Sequence, residues 1–221
     1  MFITFAGTEG SGKSTVCRAL NDFLIKNGYE TVLTREPGGT DIGKKIRAIL
    51  LDPENKDLSP RAEMLLYAAD RSQHIETVIL PSIGSGKIVI SDRFHDCTVA
   101  YQGFGRKIDM SIINQSVDIA LNGFKPDLTI WLNLDVRTGL NRVLKGYSEG
   151  ERSIVESRFD MEYQEFHERV REGYLFCAIK DPDRFVIIDA SKSLDETIFE
   201  VNSIVLEKIK NTHQFFVSQT A

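Results

Sequence analysis

Residues 2–15 read FITFAGTEGSGKST, and the fold turns on this stretch. Its apolar start, Phe2–Ala6, has the composition of a buried strand, and Gly7, Gly12, Lys13 and Ser14 then fit the pattern G-x-x-x-x-G-K-[ST]. A helical period follows from Lys13 to Lys26 and stops before Gly28, a residue that tolerates positive φ. Strand, glycine-rich turn and helix in that order aim backbone N–H groups and a helix N-terminus at phosphate. Gly7, Thr8, Glu9, Gly10, Ser11, Gly12, Lys13, Ser14 and Thr15 are thus the candidate phosphate cradle. Lys13 would reach the terminal phosphates as a point charge, and the Ser14 hydroxyl would ligate Mg²⁺. GSGK at Gly84–Lys87 is half of such a pattern but precedes a strand, so it reads as a turn.

Outward from the cradle, apolar runs alternate with longer segments of helical period. The strands expected are Phe2–Ala6, Thr31–Thr34, Ile88–Ser91, Leu128–Leu134 and Phe185–Ile188. Between them the pattern predicts helices over Lys13–Lys26, Asp41–Leu51, Pro60–Ile79, Asp109–Leu121, Val136–Leu144, Val155–Ala178 and Asp195–Lys210. Near-continuous apolar strands suit a parallel sheet covered on both faces, and the alternation argues for one doubly wound α/β domain. No repeat, linker or low-complexity tract interrupts it. The loop-like stretch is GYSEG at Gly146–Gly150, and residues 212–221 read as a tail that frays.

The 221 residues are 42% hydrophobic and 27% charged with a formal net charge of -5, the profile of a soluble acidic domain. No Lys/Arg run exceeds two residues, which argues against a nucleic-acid surface. No apolar stretch approaches the ~20 residues that span a bilayer, and the N-terminus has no basic region of a leader. Cys17, Cys97 and Cys177 are scattered and odd in number, which suits a reducing, cytoplasmic setting, and no Cys/His cluster has metal-ligand spacing.

Moving a phosphoryl group onto a second phosphate would force two polyanions together, so it demands a second set of cations but no general base. A hydroxyl acceptor would reverse both demands. Arg35 in TREPGGT and Arg93 in ISDRF each fall at a strand's carboxyl end, the edge where open α/β sheets bind ligands. Arginine grips phosphate bidentately, so the pair favours a phosphate acceptor. Asp92 beside Arg93 is either a partner for Mg²⁺ or a cap on the next turn. The cradle holds Glu9 but no Arg, so further cations must come from elsewhere. LKGYSEGERSIVESRF offers Lys145, Arg152 and Arg158, either as a closing lid (about 145–158) or as a solvated charged loop.

With GTEGSGKST, TREPGGT, AEMLLYAADRSQH, ISDRFHDCTVAYQG, PDLTIWLNLD and SRFDMEYQEFHERVREGYL in consistent order, the chain resembles the thymidylate kinases. The resemblance implies a three-layer α/β/α P-loop kinase with a central five-stranded parallel sheet and a mobile lid, in one domain over residues 1–211. It implies ATP as donor, dTMP as acceptor, Mg²⁺ and a homodimer. Arg35 and Arg93 would hold the dTMP phosphate, and Glu9 would lie near the acceptor and Mg²⁺. Tyr67 would stack on thymine, with Arg71, one turn along the same helix face, bonding its carbonyl. Thr98, Tyr101 and Gln102 would line base and deoxyribose, the Tyr101 ring crowding out a 2′-hydroxyl. Lys13, Arg93, Glu9, Arg152 and Arg158 are the expected catalytic set, and Ser14, Asp92 and Glu9 the metal set. Three positions depart from the family pattern: Tyr67 where Phe is usual, Cys97 where Ser is typical, and Ser157 before Arg158 where Asp is common. An arginine-free cradle with arginines in the lid resembles the bacterial form.

Overall fold

The computed structural model describes residues 1–150, 155 and 157–219, with side-chain surroundings through residue 211. Phe2–Ala6 (β1), Thr31–Arg35 (β2), Ile88–Asp92 (β3), Leu128–Asn133 (β4) and Phe185–Asp189 (β5) form one parallel sheet in the order β2-β3-β1-β4-β5. β1 lies at its centre, with Phe5 opposite Asp92 of β3 and Ile130 of β4. All five of its residues are buried, as both-face coverage requires.

Alternation along β1 feeds two cores. Phe2 joins Trp131, Phe94, Ile113 and Tyr174 on one face. Ile3 and Phe5 join Ile130, Leu20, Leu24, Val201 and Val205 on the other. The second face is covered by α1 (Lys13–Lys26) and α9 (Leu194–Gln219), which pack on each other. The first is covered by α3 (Pro60–His74), α6 (Met110–Leu121) and α8 (Gln164–Lys180), with α2 (Asp41–Leu51) against α3. The expected three layers and five parallel strands are those found.

Local chemistry sets the boundaries. The Ser59 hydroxyl accepts from Ala62 N, and Pro60 opens α3. The pattern placed a single helix over Pro60–Ile79; α3 instead passes through a π-helical segment, Ile75–Ile79, into α4 (Leu80–Gly84). Residues after β3, which the period did not resolve, coil as α5 (Asp96–Thr98) and a π-helical segment, Val99–Gly105. α7 (Val136–Ser148) outruns its expected end, so the first residues of the expected lid are helical. The helix expected from Val155 starts at Gln164, because Arg158 N and its guanidinium bond the Leu51 and Leu50 carbonyls and fix a turn there.

Candidate active site

The cradle links β1 to α1 at the carboxyl edge of the sheet. Gly12 has φ 85° and no side chain caps α1, so the first N–H groups of the helix are left for an anion. A Cβ on Gly10 would lie 2.1 Å from the Gly139 carbonyl oxygen, and one on Gly139 would lie 2.4 Å from that of Glu9. The loop thus packs backbone to backbone on α7. Lys13 Nζ donates to the Thr8 carbonyl at 2.7 Å and to Ser11 Oγ at 3.2 Å. Burial, with Arg93 adding to it, brings the Lys13 ammonium down from 10.5 to about 8. Ser14 Oγ donates to Asp92 Oδ2 at 2.5 Å, while Asp92 Oδ1 is buried with no hydrogen bond among the described residues.

A cleft of about 870 Å³ opens beside the cradle. Glu9, Gly10, Gly12, Lys13, Ser14 and Thr15 line its donor side; Gly7, Thr8 and Ser11 stand behind. Arg35, Tyr67, Arg71, Asp92, Arg93, Thr98, Tyr101 and Gln102 line the rest, so one cavity collects every acceptor residue expected from the sequence. Cys97 lines it too, its Sγ 3.1 Å from the Tyr174 hydroxyl.

Arg93 joins the two sides. Its Nη1 donates to the Gly7 carbonyl at 3.2 Å and to the hydroxyls of Tyr101 at 3.0 Å and Tyr174 at 3.2 Å. Nη2 donates to Glu9 Oε1 at 3.0 Å, which also accepts from the Tyr101 hydroxyl at 2.6 Å. To reach these partners Arg93 takes a left-handed φ of 76°. Burial pushes the Glu9 carboxyl up, but His167, Arg93 and Lys13 outweigh it and hold it well below the carboxylate range. His167 Nδ1 lies 3.1 Å from Glu9 Oε2 but off the line of a hydrogen bond.

Beside this joint, Arg71 Nη1 donates to Thr98 Oγ1 at 2.9 Å, and Gln102 Nε2 to Glu63 Oε1 at 2.7 Å. Tyr67 packs near Phe159, ring centroids 6.4 Å apart. Its phenol is pushed up by burial and by the Glu63 charge, so it stays neutral. Arg35 is exposed at the end of β2 and holds no ion pair among the described residues.

The lid cations end differently. Arg158 does not line the cleft: its Nη2 donates to buried Glu63 Oε2 at 2.6 Å and its Nη1 to the Leu50 carbonyl at 3.0 Å. Glu63 also binds Arg106, so Arg158 stands in a buried charge cluster and not at the cleft wall where a phosphate cation was expected. Arg152 lies outside the described residues. Lys145 sits on α7 in an exposed pair with Glu149.

Comparison with known proteins gives this arrangement its context. Residues 5–201 match the family model described as Thymidylate kinase. The chain belongs to the thymidylate kinase family. It is 51% identical to the thymidylate kinase of Desulforapulum autotrophicum over 92% of this chain and 89% of that one. It is 45% identical to that of Maridesulfovibrio salexigens over 95% and 97%. The crystal structure of thymidylate kinase from Ehrlichia chaffeensis superposes with a TM-score of 0.72 at 33% identity, covering 93% of this chain and 98% of that one.

Within this family member, several site residues were not signalled by local sequence. Arg47, on α2, lines the cleft and donates to the Pro37 carbonyl, and no motif in the sequence marked it. Arg142 of α7 reaches the carbonyls of Gly10 and Ala190, both at 3.4 Å, joining the cradle to the loop after β5. His167 and Tyr174 fall within the SRFDMEYQEFHERVREGYL stretch, but nothing in its local pattern assigned them a place at the site.

Proposed function

We infer that this chain transfers the γ-phosphate of ATP to dTMP, giving dTDP and ADP for dTTP synthesis, as a thymidylate kinase. The observation that carries the reading is Arg93, one guanidinium bonded to the donor loop at Gly7 and Glu9 and to the acceptor wall at Tyr101 and Tyr174. A cation in that place meets both phosphates, offsetting charge on the group in flight without a general base.

The cradle, Gly7 through Thr15, holds ATP, with Lys13 on the terminal phosphates. Arg35 and Arg93 hold the dTMP phosphate. Tyr67 stacks on thymine, Arg71 bonds it, and Thr98, Tyr101 and Gln102 line base and sugar. Ser14 and Asp92 hold Mg²⁺, with Glu9 close to it; the unpartnered Asp92 Oδ1 beside a hydroxyl fits a hard cation and its waters. The bound ion would offset charge on the donor phosphates. Arg152 is the lid cation, and residues 1–211 act as one kinase domain, with the lid at about 145–158 and a tail at 212–221.

The working form is a cytoplasmic homodimer whose partners are ATP and dTMP, not nucleic acid or membrane. α2, α3 and α6 pack side by side and expose Ile42, Ile49, Leu65 and Ile119, an apolar set suited to a second copy. No described helix is long and apolar enough to cross a membrane. A coupled ADP-release assay across dTMP, dUMP, UMP, dCMP and thymidine tests the activity. dTMP should be preferred; preference for thymidine, or no dTMP-dependent ADP, refutes it.

A further inference from the structure

Arg71 enters the cleft with part of its fork already committed. Nε donates to Glu36 Oε2 at 2.9 Å and Nη1 to Thr98 Oγ1 at 2.9 Å, which fixes the guanidinium plane from two sides. The other Glu36 oxygen lies 2.9 Å from His74 Nδ1, and His74 Nε2 lies 2.7 Å from Thr34 Oγ1. Thr34 and Glu36 come from the end of β2; Arg71 and His74 sit one turn apart on α3. Glu36, Arg71 and His74 are all buried to within 3% of complete.

A carboxylate accepts only, so His74 Nδ1 carries the proton it gives to Glu36, while Nε2 shares a second hydrogen bond with the Thr34 hydroxyl. Gly39 packs directly on the ring edge, where a Cβ would lie 2.5 Å from Nε2 and 2.8 Å from Thr34 Oγ1. Yet His74 lines no part of the cleft. It meets the cleft only through its neighbours: Thr34 and Gly39, which line the wall, and Glu36, which carries its hold on to Arg71.

We propose that Thr34, His74 and Glu36 form a positioning relay that aims Arg71, making His74 a determinant of acceptor affinity although it touches no substrate. Glu36 without His74 would be tied at one oxygen only and free to swing with the guanidinium it is meant to hold. With His74 the carboxylate is tied at both ends, and the chain closes on the strand that carries it. The relay rests on the reading of Arg71 as a contact to the acceptor base.

The test compares His74→Gln, His74→Asn, Thr34→Val and Arg71→Ala by steady-state kinetics with dTMP and ATP, with melting temperature as a control. The Asn amide nitrogen lies near the place of Nδ1 and keeps the bond to Glu36; the Gln amide lies near Nε2 and gives that bond up. His74→Gln should raise KM for dTMP about tenfold, as loss of an outer partner of a positioned group does, with kcat and KM for ATP within about twofold. His74→Asn should stay within about threefold of the parent on the same scale. In an Arg71→Ala background, His74→Gln should add nothing, since its effect passes through the missing group. Additive losses, or equal losses for Asn and Gln, overturn the relay. Should His74→Gln not fold, Thr34→Val removes only the far hydroxyl; an unchanged KM for dTMP there overturns it equally. If Arg71→Ala itself leaves KM for dTMP unchanged, the reading of Arg71 fails; if it raises KM and His74→Gln does not, the relay alone fails.

Discussion

Arg93 carries the charge on which the proposed transfer rests and also a strained backbone, and two substitutions separate them. Alanine and glycine each remove the guanidinium, so the Gly7 carbonyl, the Tyr101 and Tyr174 hydroxyls and Glu9 lose the same partner in both variants. What differs is the backbone. At φ 76° an L-residue sits in the left-handed region, at a cost of about 1–2 kcal/mol that glycine does not bear. Glycine gives back about 0.4–1 kcal/mol through its freer unfolded chain. The remainder, centred on about 0.8 kcal/mol, leaves Arg93→Gly more stable than Arg93→Ala. For a chain of this size that is about 1–4 °C in Tm by thermal melting. Turnover should move differently: both variants should lose about 10²-fold or more in kcat, as the loss of one transition-state donor does, measured by coupled ADP release at saturating ATP and dTMP. Activity of Arg93→Ala within a few-fold of the parent would falsify the catalytic role. An alanine variant melting at or above the glycine one would refute the strain argument while leaving catalysis untouched.

Asp92→Asn keeps the shape of the strand end but removes the charge beside Ser14, and it should raise the Mg²⁺ needed for half-maximal rate about tenfold in a magnesium titration. Lys13 tests the electrostatics. Folding lowers its pKa from 10.5 to about 8, so between those values the unfolded chain holds more protons and this group's contribution to stability rises with pH. Phosphate restores the ammonium, so ATP binding should take up a substantial fraction of a proton (roughly 0.7) at about pH 8.5 and almost none at about pH 6.5. Calorimetry in two buffers of different ionisation enthalpy reads this, and a Lys13→Met variant that still takes up the proton would discount Lys13 as the source. Asp96 holds Arg184 bidentately at 2.8 Å twice, away from the cleft. Asp96→Ala leaves that arginine with Asp181 and the Thr129 hydroxyl but without its buried partner, and should cost about 2–4 kcal/mol, on the order of 10 °C in Tm, with kcat of the folded enzyme changed by less than about threefold.

What the sequence disclosed follows from how local each signal is. The cradle was legible because its glycines, lysine and serine act within nine residues and a strand and helix flank them. Arg35, Asp92 and Arg93 were legible because parallel sheets gather ligands at strand ends, and β2 and β3 do end there. The pairing of Arg158 was not legible because an arginine in a glycine-flanked loop looks solvated, while its partner Glu63 lies 95 residues away on α3. Glu63 was itself invisible: an acidic residue in the first turn of a helix reads as a favourable surface charge, yet it is fully buried and neutralised by Arg158 and Arg106. The start of α8 was missed for the same reason, since the turn before it is held by carbonyls of α2 and not by its own residues. Long-range charge pairing leaves no periodicity to read.

Glu9 shows why the two halves of the site behave as one object. It belongs by sequence to the donor loop, where the pattern G-x-x-x-x-G-K-[ST] leaves its identity open. Gly10 and Gly139 press the backbone beside it onto α7, at a separation no side chain could enter, so its direction is set by the cradle. Its carboxylate nevertheless spends Oε1 on Tyr101 and Arg93, both from the segment after β3, and faces His167 of α8 with Oε2. On the proposed reading, a shift of the loop around the donor phosphates would therefore move the hydroxyl and guanidinium on the acceptor side, and the reverse would hold too. An acceptor phosphate bound by Arg93 meets a group whose position is already defined by the loop that holds the donor. In-line transfer needs that shared reference, because two sites built on separate elements would each fix a phosphate but not the line between them. A neutral residue at position 9 would keep the cradle and lose the tie.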